Sequence, residues 1–174
     1  MKKKLGLMFL LLLAVVIASY AQRAGDTSYA LSELAVSSFE RIVVNANVDV
    51  VLVQNDTLKK AYIEGDEQYV SQVSVTVNNG TLTIAAREHK SYRGKVQVTI
   101  AVKQLAGLEI NADAGVASID TLRSPKLFVN INGLCDIHLK STGKILFDAE
   151  DGYWIKYRYN SGKKIVVVEE ETGG

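Results

Sequence analysis

The sequence predicts an all-β fold, a short β-helix (β-solenoid) of stacked coils, and three observations support this. Short β-branched runs alternate apolar and polar residues and end at Gly, Asn or Asp. Asn79-Gly80 stands between two such runs as a tight-turn pair. A corner phrase also recurs: "VNANVD" at Val44, "INADAG" at Ile110, "VNINGLCDI" at Val129 and "FDAEDG" at Phe147.

The chain opens with "MKKKLGLMFLLLLAVVIASYAQ". Lys2, Lys3 and Lys4 form a positive n-region, Leu5 to Ile17 an apolar h-region, and Ser19 and Ala21 the small residues of a cleavage site. Residues 1–21 therefore read as a signal peptide, with a mature chain starting at Gln22 and no transmembrane segment after cleavage. No Cys follows the h-region, which disfavours a lipid anchor. Without these residues 17 basic side chains face 19 acidic ones, a formal charge of −2 that argues against nucleic acid as a partner. Cys135 is the sole cysteine, so stability must come from packing and backbone hydrogen bonds without an internal disulfide.

Residues 22–38 read as a leader or a weak first strand, and residues 39–174 as the β-helix domain. Strand signatures follow in "FERIVVNANVDVVLVQ", "VSVTVNNGTLTIAA", "KVQVTIAVKQ", "GLEINA" and "KKIVVVEEE". Only "GDEQYVSQV", Gly65 to Val73, can hold a helical turn.

Aligning Val44, Ile110, Val129 and Phe147 puts Asn45, Asn111, Asn130 and Asp148 in one column, and Asn47, Asp113, Asn132 and Glu150 in another. Ile110 and Val129 are 19 residues apart, and Val129 and Phe147 are 18. That period is far below the ~40 residues of a propeller blade and suits one solenoid coil. Side-chain amides at one corner of successive coils, ~4.8 Å apart, could then hydrogen-bond as a ladder while the flanking apolar residues enter a shared core.

The stretch Phe39 to Ala86, with "VQVTIAVKQLAGLEINADAGVASI" and "LFVNINGLCDIHL", resembles the family called "putative auto-transporter adhesin, head GIN domain". The likeness lies in the F-x-x-I-x-V strand at Phe39, Ile42 and Val44, the "EGDEQYV" turn, the "NGTLTI" hairpin and the later coils, over roughly Ser37 to Val168. The resemblance implies a right-handed β-helix exported by a Gram-negative bacterium to the periplasm or cell surface, adhesin-like, with no catalytic residues to carry over. The sequence departs from the pattern at "GLCDI" and "DGYWI", where small Gly and Ser residues are expected.

Asp113, Asp136, Asp148, Glu150 and Asp151 could converge as the acid pair or calcium site of a carbohydrate-active lyase or hydrolase, the alternative function. Corner and turn roles explain the same residues, so no catalytic residue, metal or cofactor is expected. His89 and His138 lie far apart, and Cys135 reads as a small packed residue. For binding, Arg87, Lys90 and Arg93 in "REHKSYRGK" could meet an anionic glycan, and Trp154, Lys156 and Arg158 share one face of "YWIKYRY". The expected partner is a glycan or an envelope or surface protein.

Overall fold

The computed structural model describes residues 28–88, 90–149, 153–160 and 163–170, side chains through residue 148. The chain is all-β, in two open mixed sheets. Its elements are β1 (Tyr29–Ala35), β2 (Arg41–Asn45), β3 (Asp49–Gln54), β4 (Lys60–Asp66), the single helical turn α1 (Glu67–Val70), β5 (Val73–Asn78), β6 (Thr81–Ala86) and β7 (Val96–Val102). There follow β8 (Gly107–Ile110), β9 (Ala114–Ser118), β10 (Lys126–Ile131), β11 (Cys135–Ser141), β12 (Lys144–Ala149), β13 (Tyr153–Asn160) and β14 (Lys163–Glu170).

The six-stranded sheet runs β12-β10-β8-β2-β6-β5, and the eight-stranded sheet β1-β4-β7-β3-β9-β11-β14-β13. Strands β6, β2, β8, β10 and β12 pair in parallel, as do β7, β3, β9 and β11 in the other sheet. Each of β6, β2, β8 and β10 continues in sequence into the strand at the matching place in the opposite sheet. The corner phrase marks that passage: Ala46 to Val48, after Asn45 at the end of β2, links β2 to β3, Asn111 to Asp113 links β8 to β9, and Asn132 to Leu134 links β10 to β11. Alternation within each strand sends every second side chain inward. Ile42, Val44, Val50, Leu52, Leu82, Ile84, Val98, Ile100, Ile110, Val116, Ile131 and Ile137 from both sheets form one buried core. Burying such a side chain contributes ~1.5–3 kcal/mol.

The spatial order departs from chain order. After β3 the chain leaves through β4, antiparallel to β7, and returns through β5, antiparallel to β6. The β2–β3 unit therefore lies between β6–β7 and β8–β9, although it comes first in sequence. Asn79 and Gly80 close the β5–β6 hairpin with φ of 48° and 73°, both in the left-handed region that a tight primed turn requires.

The corner register also corrects the repeat alignment. Ile110 is level with Ile131, and Phe147 with Val129, so β10 and β12 keep their alignment to each other but are both offset by two residues from β8 in the sequence columns. Because side chains alternate with period two, a two-residue offset leaves every inward residue inward, and the hydrophobic pattern cannot detect it. Asn132, and not Asn130, takes the place after Asn45 and Asn111. Its Nδ2 donates to Asn111 Oδ1 at 2.7 Å, and Asn111 Nδ2 donates to Asn45 Oδ1 at 2.9 Å. Asn47 Oδ1 accepts from the Asp113 N–H at 3.0 Å. Glu150 lies outside the described residues.

Candidate functional site

The outward face of the six-stranded sheet carries residues in rows set by the register. One row reads Thr81, Arg41, Gly107, Phe128, Leu146, and the next reads Thr83, Val43, Glu109, Asn130, Asp148. Neighbours in a row are one strand spacing apart, ~4.8 Å. Phe128 is 52% exposed and Leu146 39%, an unusual pair of large apolar side chains on a solvent face.

Gly107 has no side chain where the row passes between Arg41 and Phe128, and the Arg41 side chain occupies part of that space: a Cβ at Gly107 would lie 3.4 Å from Arg41 Cγ and Nε. The result is a groove of ≈ 380 Å³, floored by Gly107, walled by Arg41, Phe128 and Leu146, and bordered by Glu109, Asn130 and Asp148. Lys126 Nζ sits over the Phe128 ring, 4.4 Å from its centroid, which steadies the ring and places a cation beside it. Glu109 Oε1 accepts from Asn111 Nδ2 at 2.9 Å, so the corner ladder holds one border of the groove. An apolar strip beside an acid–amide–acid row can bind a molecule with one C–H face and one hydroxylated edge.

The residues singled out from sequence are placed differently. Arg93, partly exposed, is engaged by carboxylates. Its guanidinium meets Asp113 at 3.0 Å, Asp136 at 2.7 Å and Asp49 at 3.5 Å, at the starts of the neighbouring parallel strands β9, β11 and β3. The hydrogen bond to Asp136, then that to Asp113, raises the Arg93 pKa above its already high ordinary value. Asp49 Oδ2 also accepts from the Gly94 N–H at 2.6 Å. The carboxylates weighed as an acid pair or a calcium site are thus partly gathered, around a cation. Among the described residues no group of three or more His, Cys, Asp or Glu side chains is arranged to hold a metal ion.

Lys90 pairs with Glu88 at 2.5 Å, and Arg87 is exposed. Trp154, Lys156 and Arg158 lie at alternate positions of β13, level with Glu169, Val167 and Ile165 of β14 at the border of the eight-stranded sheet. Their side chains, and His89, lie outside what the structure describes. His138 is exposed on β11. Cys135 is buried, and desolvation, then the Asp136 carboxylate, push its thiol up to about 12.

The groove escaped the sequence reading, although a signal for it exists. Lys126-x-Phe128-x-Asn130 and Lys144-x-Leu146-x-Asp148 repeat at a spacing of 18, each with a large apolar residue on the polar parity of its strand.

A family model described as "Putative auto-transporter adhesin, head GIN domain" matches residues 38–152, about two thirds of the chain. The chain belongs to this family. Among solved structures, this head GIN chain is similar to a "putative adhesin" from Bacteroides fragilis NCTC 9343, with 18% identity and a TM-score of 0.52 over 71% of this chain and 74% of that one. It is also similar to a "putative adhesin" from Parabacteroides merdae ATCC 43184, at 14% identity, TM-score 0.49, 71% of this chain and 57% of that one. A third similar structure is a "putative lipid binding protein" from Parabacteroides distasonis ATCC 8503, at 15% identity, TM-score 0.49, 72% of this chain and 61% of that one. The first of these likenesses shows a shared fold. No curated protein matches the chain. Among the described residues no helix is long and apolar enough to cross a membrane.

Proposed function

We propose that this chain is an exported, non-catalytic binding module on a short right-handed β-helix, working in the periplasm or at the surface of a Gram-negative bacterium, and that it binds neutral saccharide rings in the Phe128 groove. Family membership supports the adhesin-like role. The parallel stacking of β6, β2, β8 and β10 and of β7, β3, β9 and β11 supports the β-helix reading. The leader at residues 1–21 supports export.

One observation carries the ligand class: exposed Phe128 and Leu146 lie level with each other and directly beside the row Glu109, Asn130, Asp148. A pyranose lays its C–H face on an aromatic ring and turns its hydroxyls to carboxylates and amides at the edge. Arg41 balances part of the acidic charge at the groove, which favours a neutral ring over an acidic one. The strip at Trp154, Lys156 and Arg158 is the second binding candidate, for a glycan or a surface protein.

The non-catalytic reading is supported by the Arg93 clamp, which engages Asp49, Asp113 and Asp136. The mature protein on a glycan array, with a reducing-end assay on the glycans it retains, tests both parts. Retention that falls at least tenfold in Phe128→Ala, without product release, is expected. Turnover abolished by Glu109→Gln or Asp148→Asn would establish the enzyme alternative instead.

A further inference from the structure

Each parallel stack of strands has two ends, and three of the four are covered by an antiparallel strand. Strand β4 covers β7, β5 covers β6, and β14 covers β11. The fourth end is the outer edge of β12, which has no strand partner among the described residues. An open edge presents a row of unpaired N–H and C=O groups and invites another strand.

We infer that this edge pairs with the same edge of a second copy of the chain, antiparallel and centred on Leu146. The backbone determines which residues can take part. The Lys144 N–H donates to the Pro125 carbonyl at 3.1 Å, toward β10. Alternate residues direct their backbone groups to opposite sides, so Leu146 and Asp148 also face β10, while Ile145 and Phe147 face the open edge. In an antiparallel pair the hydrogen-bonded positions must both face the partner, so Ile145 opposes Phe147 of the copy and Leu146 opposes its own copy.

That register is complementary on both faces. On the outward face, exposed Lys144 stands opposite Asp148 of the copy, twice over by symmetry, with Leu146 against Leu146 between them. On the inward face, buried Ile145 meets Phe147, which packs partly against the core. A two-fold axis through Leu146 thus matches charge to charge and apolar to apolar, as a closed isologous interface requires. Registers centred on Ile145 or Phe147 satisfy the backbone equally but do not bring Lys144 opposite Asp148. Pairing would also bring the grooves beside Phe128 on the two copies together across the axis, a bivalent surface, although the interface itself does not depend on saccharide binding.

The experiment uses the mature protein with no glycan present, so its outcome is independent of the groove reading. Sedimentation velocity should give a mass twice that of the chain. Lys144→Glu and Asp148→Lys should each shift the protein to monomer, and the combined Lys144→Glu, Asp148→Lys variant should restore the dimer, with thermal melting confirming that all three fold. Leu146→Cys places two sulfurs across the axis at a non-hydrogen-bonded pair, where Cα atoms are ~4.5 Å apart, and should form a disulfide-linked dimer on mild oxidation. Leu134→Cys, exposed in the β10–β11 corner and outside the β12 strand, should not. A wild type that stays monomeric, a double variant that remains monomeric, or equal cross-linking at both cysteines would overturn the inference.

Discussion

Asn132 hydrogen-bonds Asn111 through their side-chain amides at 2.7 Å, although 21 residues of chain separate them. The bond joins the corners that follow two neighbouring parallel strands, and a second at 2.9 Å continues it from Asn111 to Asn45, 66 residues before Asn111. Parallel strands leave their corners as the weakest part of the stack, since each corner must satisfy backbone and side-chain groups outside the ladder. The asparagines do this by bonding to one another.

Asn111 is the middle member, so Asn111→Ala removes bonds to both neighbours. The three asparagines are exposed, which limits the loss to about 1 kcal/mol in a urea titration. Asn130→Val, outside the ladder, should change stability by less than about 0.5 kcal/mol. Asn55→Val should not be neutral. Asn55 Oδ1 accepts from the Thr57 N–H at 3.0 Å and the Leu58 N–H at 2.8 Å, a local turn worth roughly 1 kcal/mol.

Gly133 sits where two corners touch. A Cβ there would lie 2.7 Å from the backbone N and O of Ala112, and backbone cannot swing aside as a flexible side chain can. Gly133→Ala should destabilise by roughly 1 to 3 kcal/mol, read from the shift of the thermal midpoint.

Arg93→Met leaves Asp49, Asp113 and Asp136 near one another on neighbouring parallel strands without their cation. The Arg93 side chain is 32% exposed, so solvent screens the ion pairs and the expected loss is about 1 to 2 kcal/mol at low salt. Added salt should narrow the gap between variant and wild type, because it screens repulsion in the one and attraction in the other. A gap that widens with salt would argue against the clamp.

Cys135 links stability to alkaline pH. Burial, followed by the Asp136 charge, raises its pKa from 9.0 to about 12. A raised folded-state pKa contributes stability that is fully present below the unfolded value and is lost as pH rises through the folded one. Relative to Cys135→Ala, the wild type should therefore lose stability progressively between pH 9.0 and about 12, and the two should run parallel below that window. A thiol reagent near neutral pH should label Cys135 only after denaturation.

Strands were legible because β-branched alternation and Gly, Asn and Asp boundaries report local geometry, as at Thr81 to Ala86 after Asn79-Gly80. The corner phrase was legible as a repeat, and its Asn45, Asn111 and Asn132 meet in space. The two-residue offset that places Asn132 and not Asn130 in the ladder was not legible, since face parity is unchanged by a shift of two. The place of β2–β3 between β6–β7 and β8–β9 depends on the long excursion through β4 and β5, which no local pattern encodes. The groove required knowing that Gly107, Phe128 and Leu146 stand level on adjacent strands, a matter of register between segments far apart in sequence. Arg93 read as a solvent-facing base because its three acidic partners come from three segments far apart in sequence.

The most direct measurement is an amide NMR titration of the mature protein with an oligosaccharide retained on the array, with Trp154 fluorescence followed in the same samples. Trp154 is the only tryptophan, so its emission reports the competing strip alone. The account predicts saturable shifts confined to Gly107, Glu109, Phe128, Asn130 and Leu146, with unchanged Trp154 emission. Quenched Trp154 emission with an undisturbed Phe128 row would contradict it.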